Sequence, residues 1–362
     1  MKKQTRTLLI LLAAVVVLVG TYAGIRLGLK AKAKREAEEA AQAVVHVGEL
    51  EDLQEVTYQN PYGVFRFTRQ DDGQWVYAED PELPIDPQNL EDIAEAVVGL
   101  TAVYEVEPED DLSYYGLDGT KTFSATDSQG RTLDLILGKQ CPDGATYYAM
   151  LSDGSACYTI PDALDRCVRK ALTEMILLPE MPKLTRESLL SLKVEGRLGT
   201  FLLDRDGDEW FVTLDDGERT PLMDFEVPVR LTAFSSNDKY LDSLLDDDYT
   251  YFRIRSAAFY PIADADLSDF GLETPKYVIT LVYDLGEGIQ TLVLSVGKYS
   301  ALEDANGRQI SDTALQRYAV LGGDDIIYTI LEDDYERTER MYFEFFGHEM
   351  SEEPVGQAAN ED

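Results

Sequence analysis

Leu112–Asp118 reads LSYYGLD and Leu267–Glu273 reads LSDFGLE. In both, an aromatic-Gly-Leu-acid core follows an acidic run, Glu109-Asp110-Asp111 in the first and Asp264-Ala265-Asp266 in the second. Each copy leads into a strand-like segment that ends in Gly-Lys, LDLILGK at Leu133–Lys139 and LVLSVGK at Leu292–Lys298. Two corners of one composition, each followed by one kind of strand, predict a chain built from two related halves. Gly116 and Gly271 would permit a tight backbone there, with Tyr115 or Phe270 and Leu117 or Leu272 turned into the core. The Gly-Lys pairs lack the upstream glycines of a phosphate-binding loop, so they read as strand ends.

Outward from the first corner, Tyr62–Arg69 alternates in side-chain character, turns at Asp72-Gly73 and returns through Gln74–Ala78. Asp86-Pro87 opens a helix whose Leu90, Ile93, Ala94, Val97 and Val98 have helical spacing. Strands are expected at Thr122–Thr126, Leu133–Leu137, Tyr147–Leu151 and Ala156–Ile160. A helix from Asp162 to Leu177 follows, stopped by Pro179 and Pro182. The second half repeats the plan: a hairpin of Thr200–Leu203 and Glu209–Thr213, with Trp210 in the place of Trp75, then a helix near Asp238–Leu245. After the second corner come strands Tyr277–Tyr283 and Thr291–Val296, an Asn306-Gly307 turn, a hairpin of Tyr318–Leu321 and Ile326–Ile330, and a closing helix Glu332–Phe346. The expected fold class is α+β, as two tandem duplicated units of antiparallel β-hairpins with packing helices.

A single N-terminal transmembrane helix is expected ahead of them. Leu8–Gly24 is uncharged and mostly apolar, and with Ile25–Leu29 it approaches the roughly 20 residues that cross a bilayer. A signal peptide cut after Ala23 is the competing reading. The organisation expected is a short tail (1–6), a transmembrane anchor (7–29), a helical stalk (30–47), a first repeat (48–179), a second repeat (180–348) and a mobile acidic tail (349–362).

The chain carries 32 basic and 68 acidic residues, a formal charge of -36, and eight of the basic residues fall in the first 35. A body this acidic repels nucleic acid, which excludes DNA and RNA as partners. Histidine occurs twice, at His46 and His348, outside the predicted repeat cores, and this argues against triad catalysis and His-based zinc. Catalytic, cofactor-binding and metal residues are therefore each expected to be none, and no cofactor is expected. Weak calcium binding stays open at Asp246-Asp247-Asp248 and at Asp264, Asp266 and Asp269. Asp204, Asp206 and Asp208 depart from a calcium loop, since Gly207 stands at its fourth place and no Glu at its twelfth. Trp75 and Trp210, at matched places, read as core packing. Cys141, Cys157 and Cys167 are either three unreactive thiols or contain one Cys141–Cys157 bridge.

The membrane-helix-like start, the Trp hairpin, the acid-then-YGL(D/E) corner and the Gly-Lys strand ending together resemble the bacterial family called domain of unknown function 4340. The resemblance spans most of Glu49 to Phe346, and YYGLD and FGLETP carry it. It implies a protein anchored outside the cytoplasm, and no catalytic residues come with it. Basic residues flank both sides of the apolar run, more of them on its C-terminal side. Taken literally, the positive-inside rule would keep the body in the cytoplasm. The short N-terminal tail and the resemblance favour an extracytoplasmic body. The function expected is that of a non-enzymatic accessory or scaffolding component of a membrane assembly such as an ABC-type transporter. The alternative is an extracytoplasmic ligand- or calcium-binding module using the cleft between the repeats.

Overall fold

The period-2 alternation of segments such as Gly63–Arg69 and Tyr277–Asp284 becomes, in a computed structural model of the protein, two separate antiparallel sheets. The structure describes residues 45–108, 111–215, 217–228, 253–300 and 315–348. The expected anchor, most of the stalk, the Asp238–Leu245 helix, the Asn306-Gly307 turn and the acidic tail lie outside them. Among the described residues, no helix is long and apolar enough to cross a membrane.

The chain falls into two compact units. One takes the described residues up to Glu82 together with Pro87–Lys170. The other takes Leu83–Asp86 and the described residues from Ala171 onward. In the first unit, the short strands β1 (Val45–His46) and β5 (Thr101–Ala102) pair with each other. The remaining strands are β2 (Leu53–Asn60), β3 (Gly63–Arg69), β4 (Trp75–Tyr77), β6 (Tyr104–Val106), β7 (Thr122–Asp127), β8 (Thr132–Gln140), β9 (Thr146–Leu151) and β10 (Cys157–Pro161). They form one sheet in the order β4-β3-β2-β7-β8-β9-β10-β6.

The second unit holds β11 (Leu189–Gly196), β12 (Gly199–Asp206), β13 (Glu209–Leu214), β14 (Thr220–Pro221), β15 (Ile254–Phe259), β16 (Tyr277–Asp284), β17 (Ile289–Tyr299), β18 (Gln316–Leu321) and β19 (Ile327–Leu331). Their order is β14-β13-β12-β11-β16-β17-β18-β19-β15. With β2 matched to β11 and the rest taken in turn, the two orders coincide, and the second sheet adds β14 at its edge. Register coincides as well. The β2/β7 ladder slips between Leu53 and Glu55, as β11/β16 slips between Leu189 and Ser191. The β8/β9 ladder slips between Leu137 and Gln140, as β17/β18 slips between Val296 and Tyr299.

Helix α1 (Pro87–Val98) begins with proline at its first position, where the missing N–H costs nothing. It buries Leu90, Ile93 and Val97, whereas Val98, expected on the same face, is exposed. The helix expected over Asp162–Leu177 is shorter: α2 covers only Ala163–Val168. Buried Asn60 donates through Nδ2 to the Val168 carbonyl at 3.0 Å and the Lys170 carbonyl at 2.9 Å, capping the helix end, and Ala171 is extended. A separate 3-10 turn, Leu172–Met175, follows. In the second unit the hairpin of β11 and β12 is held by α3 (Glu332–Phe345): the Tyr342 hydroxyl accepts from the Leu198 N–H and donates to the Gly199 carbonyl, both at 2.9 Å.

The corners are near copies. Leu112–Tyr115 and Leu267–Phe270 are single 3-10 turns. Asp111 and Asp266 cap them by accepting from Ser113 and Ser268, and Gly116 and Gly271 close them in the left-handed region at φ 69° and 65°. The corner aromatic meets a tyrosine edge to face, Tyr115 on Tyr148 at 5.0 Å and Phe270 on Tyr318 at 4.9 Å. The corners rest on the Gly-Lys pairs, which stand at the bulges of β8 and β17. A Cβ on Gly138 would collide with the Tyr115 carbonyl oxygen, and one on Gly297 with that of Phe270. A Cβ on Gly116 would stand 2.9 Å from the Lys139 nitrogen, and one on Gly271 2.6 Å from the Lys298 nitrogen.

Gly138 and Gly297 lack left-handed backbones, so substitution there meets a purely steric obstacle. Gly138→Ala and Gly297→Ala should each cost about 1–3 kcal/mol in urea unfolding. Gly154→Ala, with a left-handed backbone and open space around it, should cost only about 1 kcal/mol. Equal costs for all three would mean that the corner contact is not tight.

The corner caps also set a pH dependence. The Ser113 hydroxyl and then its N–H hold the Asp111 carboxyl below its ordinary value of 3.8, and Ser268 does the same to Asp266. A carboxyl depressed in the folded state lends its stability above 3.8 and loses it as pH falls through the lower folded value. The unfolding midpoint of an Asp111→Asn, Asp266→Asn double variant should therefore fall less steeply below pH 4 than that of the wild type.

Candidate functional site

The residues singled out in the sequence are mostly committed to structural contacts. Asp204 receives Arg219 through two nitrogens (Nε–Oδ2 3.0 Å, Nη2–Oδ2 2.6 Å), and Arg219 lies 3.6 Å from the centre of the Phe211 ring. Asp206 and Asp208 flank the β12–β13 turn. Asp266 is the corner cap, with Asp264 and Asp269 exposed nearby. Asp246–Asp248 lie outside the described residues. Among the described residues, no group of three His, Cys, Asp or Glu side chains is arranged to hold a metal ion. Trp210 is buried in the second sheet and Trp75 is half-buried in the first. The cysteines are three free thiols, two of them buried, so the Cys141–Cys157 bridge is not formed. Burial pushes the Cys157 and Cys167 thiols up.

The first unit has a cavity of about 580 Å³ beside α1 and α2, where Asp92 and Glu95 alternate with Arg166 and Lys170 around Cys167. Among the described residues of the lining the charges balance. The second unit has a cavity of about 660 Å³ with a different character. Three structures used by the fold converge on it: the β11–β12 hairpin supplies Arg197, the segment between the second corner and β16 supplies Lys276, and the β17 bulge supplies Lys298. Arg317 of β18 completes the set. Among the described residues of the lining Glu195 is the one carboxylate, and it pairs with Lys193 at 2.9 Å.

Lys276 and Arg317 are the deeper cations. The Lys276 ammonium lies 3.1 Å from Glu339 Oε1 of α3, and the Tyr277 hydroxyl donates to the same oxygen at 2.7 Å inside the core. Burial first, and then the Glu339 carboxylate, drives the Tyr277 phenol far above its ordinary value, so it stays a donor at any working pH. Arg317 is 2 % exposed. Its guanidinium carbon lies 3.5 Å from the centre of the ring of Tyr299, its partner in the β17/β18 ladder, and Nη1 donates to the Gly297 carbonyl at 3.5 Å. Arg197 and Lys298 are exposed.

None of the four cations was singled out as a site residue by sequence reasoning. The available signal was the Gly-Lys ending of Lys298, and it pointed to a strand end. Arg197, Lys276 and Arg317 are scattered through the sequence, and only the sheet brings them together.

The family described as "Domain of unknown function (DUF4340)" matches residues 75–259. The match includes the first corner and stops short of the second, so it is narrower than the span from Glu49 to Phe346. Of the pocket cations it contains only Arg197. No curated protein matches the chain, and no solved structure does.

The Lys276–Glu339–Tyr277 group ties β16 to α3, and its energetics are testable. Tyr277→Phe removes one donor to Glu339 and should cost about 1–2 kcal/mol in urea unfolding. Glu339→Ala removes the acceptor shared by Lys276 and Tyr277 and should cost about 3 kcal/mol. A Glu339→Ala variant no less stable than Tyr277→Phe would show that Glu339 is not the tie.

Proposed function

We propose, from the premise that the chain belongs to the domain of unknown function family DUF4340, that it is a single-pass membrane-anchored protein with a non-enzymatic body outside the cytoplasm. The body serves as an accessory or scaffolding component of a membrane assembly, such as an ABC-type transporter. The observation that carries this reading is the uncharged apolar run Leu8–Gly24, followed by the helix-forming Lys30–Ala43 and a strongly acidic body. An acidic body stays soluble and is repelled by the anionic lipid surface beside it, so a helical stalk would hold it clear.

The common strand order, common bulges and near-identical corners support an origin by duplication of one α+β unit. Two sheet units on one anchor offer broad surfaces of the kind that scaffolding uses. Buried Cys141, Cys157 and Trp210 and the corner caps Asp111 and Asp266 are engaged in packing and capping, which supports a structural role for these groups, which otherwise suggest chemistry.

Alkaline extraction of membranes, protease treatment of intact spheroplasts, and crosslinking followed by native electrophoresis test the reading together. The protein should stay in the membrane pellet, lose its body to external protease, and migrate in a complex with an integral membrane protein. Release into the soluble fraction, protection of the body, or migration as a lone chain would each sink the corresponding part.

A further inference from the structure

We propose that Lys170 and Asn89 of the first unit join in an intramolecular isopeptide bond. The Lys170 ammonium donates to Asn89 Oδ1 at 2.5 Å, across 81 positions of sequence. Near-attack pairs stand about 3–3.5 Å apart, and a nitrogen hydrogen-bonded to Oδ1 is one C=O bond away from Cγ. An amine and a carboxamide condense with loss of ammonia alone, with no oxidant, metal or activated partner.

The fold holds both partners in place. Asn89 is the third residue of α1, buried on a helix that is fixed by the packing of Leu90, Ile93 and Val97. Lys170 is half-buried just past the end of α2, and its backbone is clamped to β2. Its carbonyl accepts from Asn60 Nδ2 at 2.9 Å and from the Tyr58 hydroxyl at 3.3 Å, and both donors belong to buried residues. Such orientation of two groups is what an intramolecular reaction gains over the same groups free in solution.

Asp92 is placed to move the protons. It stands three positions after Asn89, on the same face of α1, and with Lys170 it lines the cavity of about 580 Å³. Burial raises the Cys167 thiol in that cavity, while Lys170 lowers it and Asp92 raises it, so both charges reach one point there. The Asp92 carboxylate takes one proton from the Lys170 ammonium, and the freed Nζ attacks Cγ of Asn89. An Nζ–Cγ bond forms, a second Nζ proton passes to Nδ2, and the Cγ–Nδ2 bond breaks. Ammonia leaves as ammonium with the proton that Asp92 held, and the carboxylate is restored. The bond would tie α1 to the end of α2 around the strands between them. A covalent loop of this length removes much of the freedom of the unfolded chain, and the cysteines of the unit, all free thiols, supply no such brace.

Mass spectrometry on the purified full chain tests this, and the wild-type measurement needs no variant to fold. The chain should be lighter than its sequence by one ammonia, and a tryptic digest should contain Gln70–Lys121 joined to the peptide that begins at Lys170. Lys170→Arg keeps a cation in place and cannot form the bond, so it should lack the joined peptide, carry no ammonia loss and show a Tm lower by several degrees. Asp92→Asn should leave most of the chain unjoined while its far-UV circular dichroism stays that of the wild type. Absence of the joined peptide from the wild type, or an ammonia loss that persists in Lys170→Arg, would overturn the proposal. Complete joining in Asp92→Asn would overturn the part given to Asp92.

Discussion

The contact on which each unit depends is the seating of a 3-10 corner against a glycine in the neighbouring strand. The backbone of Tyr115 lies so close to Gly138, and that of Phe270 to Gly297, that no side chain fits between them. Several features follow from this one approach. The strand must carry glycine at that point, and its ladder slips there, because an extra residue is accommodated opposite the corner. The turn must close in the left-handed region, which selects Gly116 and Gly271. The aromatic before that glycine is then delivered onto a tyrosine of the next strand, Tyr148 or Tyr318, and the following leucine is buried. The YGL and GK motifs are separate in the sequence and a single object in the fold.

On that shared frame the two units differ in how they use polar groups. In the first, Asn60 reaches from the β2–β3 hairpin to the carbonyls that end α2, and Lys121 approaches buried Asp165 of that helix at 3.5 Å. In the second, Tyr342 reaches from α3 to the matching hairpin, and Glu339 of α3 holds Lys276 and Tyr277. By ladder position, Lys121 corresponds to Tyr277, since each faces the residue just before the glycine of its bulge, Leu137 or Val296. Both units therefore fasten their closing helix to the start of the same strand, at Lys121 just before β7 and at Tyr277 opening β16, through a buried acid. The second unit replaces a cation with a phenol there and sets its cations on the cavity wall instead.

Much of this architecture could be read from the sequence because turns and caps are local chemistry. Asp72-Gly73, Asp206-Gly207 and the two Asp-x-Ser corner caps fix their conformations within a few residues. Besides short edge segments and β15, what escaped were β2 and β11, which lie inside the sheets between the hairpin strands and the strands after the corner. The bulges at Leu53/Glu55 and Leu189/Ser191 break their apolar alternation, so Leu53 and Val56 are both buried at a spacing of three. The α2 boundary escaped for a related reason: the group that ends the helix is Asn60, more than a hundred residues away. The basic pocket was invisible because it is assembled from a hairpin, a corner exit, a bulge and a strand partner, none of which is unusual alone.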